Sequence, residues 1–128
     1  MKQEYYSATP EERKKIVSGI KELLLKYDTI VFAYIYGSFV SDPSYKDIDV
    51  GVFLKNQIDF DEMLSFTSDV AGDIAKSCHI AYDLPDVRLL NNAPYSFLSS
   101  VFNEGILLIS KDELFLTDLI ETASVHAI

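Results

Sequence analysis

The sequence predicts a single α/β (α+β) domain, with helices covering a mixed sheet of about four strands. The chain has 128 residues, of which 48% are hydrophobic and 24% charged, as is typical of one globular domain with a buried core. Short apolar segments rich in β-branched and aromatic residues alternate with longer segments of helical periodicity. No repeat, low-complexity tract or Pro/Gly-rich linker interrupts this alternation, so we expect residues 1–128 to form one unit.

Capping signals and the spacing of apolar residues predict the individual elements. Thr9-Pro10-Glu11-Glu12 is typical of a capping box with proline at the first helical position, which predicts a helix over about 10–27. The predicted order is α-β-turn-β-α-β-α-β-α. After the first helix, the approximate bounds are strands over 30–36 and 48–54, a helix over 59–77, a strand over 86–90, a helix over 94–105, a strand over 106–109 and a helix over 114–125. Six apolar residues are available for the buried side of the helix that Asp59 caps: Phe60, Met63, Leu64, Phe66, Val70 and Ile74.

Charge and cysteine content limit the classes of function. Twenty acidic and 11 basic residues give a net charge of −9, which repels a nucleic-acid backbone. The longest apolar stretch, residues 30–36, is far shorter than the roughly 20 residues that span a bilayer, and no signal peptide is visible. The single Cys78 cannot form an internal disulfide, which favours the reducing cytoplasm.

Two carboxylates at the start of the second strand are candidates for metal binding. Asp47 and Asp49 are two positions apart, so on a strand they point to the same face while Ile48 points into the core. Such a pair can hold two Mg²⁺ ions about 3.5–4 Å apart for phosphoryl or nucleotidyl transfer. An isolated Asp-x-Asp is also common at a solvated strand end.

A small turn after the first strand makes the catalytic interpretation more specific. Gly37 lacks a Cβ, so the chain can turn sharply there and let an anion approach the backbone. If a helical turn begins at Phe39, the Ser38 amide and hydroxyl can bind phosphate at its positive end. The order strand, Gly-Ser, short loop, Asp-x-Asp and strand therefore predicts a site for a metal-bound triphosphate.

A two-metal site usually has a third carboxylate, which ligates a metal and accepts the proton of the attacking hydroxyl. Asp86 is the better candidate because it opens a strand that could lie beside Asp47 and Asp49, whereas Asp83 precedes Pro85. Arg88 shares the face of Asp86, where it could either bind phosphate or pair with a carboxylate.

The Cys and His residues predict no metal site. No second Cys/His pair accompanies Cys78 and His79, so we expect a buried thiol beside a strand and no zinc. His126 is expected to be exposed. The chain contains neither a Gly-x-Ser-x-Gly elbow nor a GxxxxGK[ST] phosphate-binding loop.

These motifs resemble the nucleotidyltransferase superfamily with the DNA polymerase β type fold, and within it the minimal nucleotidyltransferase (MNT) proteins of bacteria and archaea. The resemblance extends from about Ile30 to Ile109 and includes the segments LLNNAP and NEGILLI. It implies that Gly37 and Ser38 match the family's Gly-Ser signature, and that Asp47, Asp49 and Asp86 match its three metal-binding, catalytic carboxylates. Eight residues separate Ser38 from Asp47, fewer than in the commonest form of the motif.

The resemblance also implies a partner and a reaction. Similar proteins act as antitoxins beside a helical HEPN-domain ribonuclease, and transfer AMP from ATP to one of its tyrosines with Mg²⁺. The expected function is therefore Mg²⁺-dependent adenylyl transfer to a protein hydroxyl, and an acidic surface could meet a basic partner. Two alternatives are a non-catalytic module that masks the toxin, and nucleotidyl transfer to a small molecule, although no second domain for such an acceptor is evident.

Overall fold

The computed structural model describes residues 5–127, and its helices and longer strands follow the predicted order. Each predicted element is present, and two short strands that were not predicted are added. In chain order the elements are β1 (Tyr6–Ser7), α1 (Pro10–Leu24), β2 (Ile30–Tyr36), α2 (Ser38–Ser41), β3 (Ser44–Tyr45), β4 (Ile48–Leu54), α3 (Phe60–Cys78), β5 (Pro85–Leu89), α4 (Tyr95–Glu104), β6 (Ile106–Ser110) and α5 (Glu113–His126).

Helices α1 and α3 both begin with a predicted capping box. The Thr9 hydroxyl accepts a hydrogen bond from the Glu12 amide at 3.1 Å, and the Glu12 carboxylate accepts one from the Thr9 amide at 2.8 Å. Asp59 and Glu62 make the same reciprocal pair at the start of α3. These bonds satisfy amides that have no partner within the helix, so they fix where α1 and α3 begin. At its other end α1 stops at Leu24, three residues before the predicted end.

The main sheet has the strand order β5-β4-β2-β6. β2 lies in the middle and runs antiparallel to both β4 and β6, whereas β4 and β5 are parallel. A parallel pair requires a crossover, which α3 supplies between β4 and β5. The predicted mixed sheet of four strands is therefore confirmed.

Helices cover both faces of this sheet. Helices α1 and α3 pack on one face over a core that includes Ile20, Ile35, Val50, Val52 and Ile74. Helices α4 and α5 cover the other face, over a second cluster of buried residues: Phe32, Tyr34, Leu90, Leu98, Val101, Leu116 and Ala123. Alternation along β2 and β4 thus sends successive side chains into two separate cores.

The apolar side of α3 differs from the prediction at its first turns. Val70 and Ile74 are fully buried, but Phe60 is 68% and Leu64 50% exposed. Met63 and Phe66 of the same turns are partly buried, so Phe60 and Leu64 lie towards the solvent side of the first turns of α3. Within residues 5–127, no helix combines the length and the apolar character that crossing a bilayer requires.

Candidate active site

Asp49 and Asp86 lie side by side on the parallel strands β4 and β5. They are partners in the strand register, and neighbouring strands are about 4.8 Å apart. Ile48 and Val50, on either side of Asp49, are buried in the core beneath α1 and α3. Asp49 therefore points to the opposite face of the sheet, and Asp86 points with it.

The register separates the two candidates for the third carboxylate. Asp86 is the second residue of β5 and is partly buried, whereas Asp83 is exposed in the turn before Pro85. Asp47 immediately precedes β4 and is partly buried. The structure thus brings Asp86, and not Asp83, next to Asp49.

The Gly-Ser turn reaches the same place from β2. Tyr36, the last residue of β2, is the register partner of Asp49, so Gly37 leaves the strand directly beside that carboxylate. Gly37 has φ 82° and ψ −160°, a region that is essentially restricted to glycine. A Cβ on Gly37 would also overlap a carboxylate oxygen of Asp49. Ser38 then opens the short helix α2, as the expected helical turn requires.

Burial and neighbouring negative charge make Asp49 a weak acid. Its pKa is raised from 3.8 to about 6, first by desolvation and then by the charges of Asp86 and Asp47, while Arg88 acts in the opposite direction. Repulsion between these three carboxylates is what a divalent cation relieves. The charge of Asp49 is therefore coupled to both of the other predicted carboxylates.

Arg88 forms an ion pair with Asp86, which is one of the two alternatives that the sequence allowed for it. Its guanidinium lies 3.2 Å from Asp86, and its side chain is 60% exposed. An exposed pair of this kind contributes little to stability, so Arg88 can exchange Asp86 for a bound anion at small cost.

Sequence reasoning missed the hydroxyl of Tyr36. This atom is buried and has no hydrogen-bond partner among residues 5–127, while the ring packs edge-on against Phe97 at 5.7 Å. Burial and the charge of Asp49 raise the pKa of Tyr36 to about 12, so the hydroxyl keeps its proton at neutral pH. Tyr36 lines a cavity of about 130 Å³ together with Gly37 and Glu104. Only its position just before Gly-Ser could have drawn attention to it.

The donor atoms of the site suit Mg²⁺. Asp47, Asp49 and Asp86 offer only oxygen ligands, which Mg²⁺ prefers. The negative charges of Asp86 and Asp47 contribute to the raised pKa of Asp49. Within the described residues, no group of three or more acidic, His or Cys side chains is arranged to hold a metal ion. The three carboxylates thus do not form a complete protein cage. Mg²⁺ usually binds through one or two carboxylates together with substrate phosphates, and this arrangement fits that mode.

The Cys and His residues lie away from the carboxylates. Cys78 is the last residue of α3, and its Sγ lies 3.9 Å from the Ile16 carbonyl of α1. The thiol therefore packs against α1 at the edge of the main core, and it is partly buried. Burial raises the pKa of the Cys78 thiol. His79 caps α3 and is exposed, and His126 is exposed near the end of α5 as predicted.

The sequence and the fold both match known nucleotidyltransferases. The model of the family described as polymerase beta, nucleotidyltransferase, matches residues 18–114. A chain in the structure of the tri-AMPylated Shewanella oneidensis HEPN toxin in complex with MNT antitoxin has a similar fold. Its TM-score is 0.61 at 18% identity, and the match covers 89% of this chain and 84% of that chain.

Two further structures show the same fold. A chain of the toxin–antitoxin MntA-HepT matches with a TM-score of 0.54 at 21% identity, covering 91% of this chain and 87% of that chain. A chain of a toxin–antitoxin with AMP-PNP matches with a TM-score of 0.58 at 22% identity, over 88% of this chain and 86% of that chain. A comparison with curated proteins found no matching sequence. The family match spans most of the chain and contains Gly37, Ser38 and all three carboxylates, so the chain belongs to the polymerase beta nucleotidyltransferase family.

Proposed function

We propose that residues 1–128 form a minimal nucleotidyltransferase domain that transfers AMP from ATP to a hydroxyl of a partner protein in the cytoplasm. We further propose that the partner is a HEPN toxin, that the acceptor is a tyrosine, and that the transfer makes this chain an antitoxin. One observation carries the proposal: the Gly37-Ser38 turn, Asp49 and Asp86 converge at the ends of three adjacent strands.

Each of these residues has a role that its position allows. Gly37 and Ser38 hold the triphosphate, and Arg88 can steady it by releasing Asp86. Asp47, Asp49 and Asp86 hold Mg²⁺, which when bound neutralises charge on the phosphates and favours attack on the α-phosphorus.

The transfer is a single displacement. The acceptor oxygen forms a bond to the α-phosphorus while the bond to the bridging oxygen breaks and pyrophosphate leaves. The proton of the acceptor hydroxyl passes to the Asp86 carboxylate.

The related structures support the choice of nucleotide and partner. One contains a tri-AMPylated HEPN toxin with its MNT antitoxin, and another contains AMP-PNP. The net charge of −9 also supports a protein acceptor over a nucleic acid, because a basic partner is attracted and a polyanion is repelled.

The test is transfer of label from α-³²P ATP to a co-purified HEPN protein encoded beside this chain. We expect Mg²⁺-dependent labelling of that protein, abolished by EDTA. Asp47→Asn and Asp49→Asn should each reduce labelling by at least about a hundredfold, because each removes charge from the metal site. Asp28→Asn is the matched control, since Asp28 is exposed just before β2, at the end remote from the site.

Two results would contradict the proposal. One is an absence of label on a folded pair, and the other is undiminished labelling by Asp49→Asn. Should Asp49→Asn lose labelling yet still neutralise the toxin in cells, contact alone would explain neutralisation, and the antitoxin role would not depend on transfer.

A further inference from the structure

Arg13 of α1 contacts the loop that joins the two halves of the site. Its Nη1 donates a hydrogen bond to the Phe39 carbonyl, and its Nη2 donates one to the Pro43 carbonyl at 2.7 Å. Both acceptors lie in the eight-residue loop between Ser38 and Asp47. One side chain thus contacts two points of this loop. The loop is flanked by Ser38, which is proposed to bind phosphate, and by Asp47, which is proposed to bind metal.

The guanidinium also packs against two aromatic rings of that loop. Its central carbon lies 5.1 Å from the centre of the Phe39 ring and 5.0 Å from that of Tyr45, distances at which cation–π attraction acts. The two rings contact each other edge to face at 4.7 Å, and both are almost fully buried. Arg13 therefore packs against the two rings that the loop contributes to the main core.

The loop has little stability of its own. Its helix α2 has four residues and its strand β3 has two, lengths that do not persist without tertiary contacts. The only strand paired with β3 among residues 5–127 is the two-residue β1, which precedes α1. Phe39 and Tyr45 bury the loop's aromatic side chains in the main core, and β1 and Arg13 add support from the N-terminal segment.

Arg13 is itself held in place. Its Nε donates to the Ala8 carbonyl at 3.3 Å, and it follows the capping box of Thr9 and Glu12. A planar guanidinium can bond two carbonyls and cover a ring at once, which a lysine ammonium on a flexible chain does not reproduce.

We propose that Arg13 is a positioning residue, which sets the geometry of the nucleotide-binding turn by holding residues 39–45. The proposal rests on the proposed function for the identity of the ligand, MgATP. Without Arg13 the loop spends less time in the competent form, and the apparent affinity for MgATP falls by that fraction.

Three variants test this proposal: Arg13→Gln, Arg13→Lys and, as matched control, Lys15→Gln on the exposed side of the same helix. The first readout is hydrogen exchange of the Val40, Ser41 and Asp42 amides, which bond to the carbonyls of Gly37 and Ser38. The second is the Kd for MgATP by calorimetry.

We expect both Arg13 variants to speed exchange of these three amides about tenfold and to weaken MgATP binding about tenfold, as loss of hydrogen bonds from a charged group predicts. The amides of α3 should exchange as in the wild-type protein, and Lys15→Gln should leave both readouts within twofold. If Arg13→Gln fails to fold, Arg13→Lys carries the test.

Three results would overturn the proposal. The first is that the Arg13 variants keep the wild-type rate of loop exchange and the wild-type Kd for MgATP. The others are that amide exchange is accelerated equally in α3 and in the loop, or that Arg13→Lys restores both readouts to wild-type values. A wild-type protein that binds no ATP would refute the proposed function instead. In that case loop exchange alone would still decide whether Arg13 holds residues 39–45.

Discussion

Gly37 and Asp49 depend on each other at the residue scale. The backbone at Gly37 has φ 82°, and the missing Cβ leaves the space that an Asp49 carboxylate oxygen occupies. The same glycine therefore turns the chain after β2 and lets a carboxylate approach the turn. A phosphate held at the turn and a cation held by Asp49 would then be direct neighbours.

Gly37→Ala should destabilise the protein and abolish nucleotide binding. An alanine there requires a backbone conformation that costs about 1–3 kcal/mol, in addition to the overlap with Asp49. We expect the free energy of unfolding in urea to fall by at least that amount, and MgATP binding to be lost in calorimetry.

Gly72→Ala is the matched control for this substitution. Gly72 lies within α3, where alanine is favoured by up to about 1 kcal/mol, and its Cβ would meet only the Tyr82 side chain at 3.1 Å. Equal losses in the two variants would show that the conformation of Gly37 is not special.

The sequence could identify only those site residues whose signal is local. Gly37, Ser38, Asp47 and Asp49 fall within one strand-turn-strand pattern, and Asp86 opens a recognisable strand. The contacts of Tyr36 and Arg13 depend on tertiary structure: the Tyr36 ring packs against Phe97 of α4, and Arg13 reaches the loop from 26 residues away. No spacing in the sequence encodes either contact.

At the element scale, the end of α3 explains the Cys78-His79 pair without a metal. Cys78 packs against α1, and His79 ends the helix with φ 55°, the left-handed conformation that glycine usually provides at this position. The pair thus forms the C-terminal end of α3.

His79→Gly should stabilise the protein. Glycine avoids the steric cost of about 1–2 kcal/mol that a side chain adds in the left-handed region, but it also loses more backbone freedom on folding. We expect the free energy of unfolding to rise by about 0.5 kcal/mol, with transfer activity unchanged, measured by urea unfolding. His79→Ala retains the Cβ and should give no gain. A similar rise for both variants would instead implicate the imidazole.

The bounds of a helix could be predicted where a capping box and a long periodic pattern of apolar residues mark it. The starts of α1 and α3 have both signals, and both were predicted to within one residue. The strands β1 and β3 have two residues each, too few for any alternation to be visible. The exposure of Phe60 and Leu64 was not predictable, because apolar spacing indicates a helical face but not how wide a strip of it the neighbouring core covers.

At the scale of the whole molecule, the sheet order joins segments that are far apart in the sequence. The register that pairs Asp49 with Asp86 exists only because α3 returns the chain parallel to β4. A mixed sheet was predictable from the alternation of elements, but the order β5-β4-β2-β6 depends on packing between non-local elements. The same packing collects negative charge around a half-buried carboxylate in a chain of net charge −9.

Burial of Asp49, together with this charge, makes the global stability depend on pH. The pKa of Asp49 is about 6 in the fold and near 3.8 in the unfolded chain. Between these values the folded protein keeps a proton that the unfolded chain has lost, so Asp49 lowers the free energy of unfolding as the pH rises through this range. The penalty is complete above about pH 6 and absent below about pH 4.

Asp49→Asn should remove this penalty in the absence of metal. We compare the free energy of unfolding of the variant with that of wild type in EDTA at two pH values. The gain of the variant should be about 1 kcal/mol larger at pH 7.5 than at pH 4.5, a value discounted for the solvent that reaches the half-buried group. Urea titrations at both pH values measure the difference, with Asp28→Asn as the exposed control. An equal gain at both pH values would mean that asparagine improves packing and that the fold does not disfavour ionisation of Asp49. A larger gain at pH 7.5 would show that the fold disfavours the ionised Asp49 carboxylate, through burial first and the neighbouring charges second, and a bound cation would relieve that penalty.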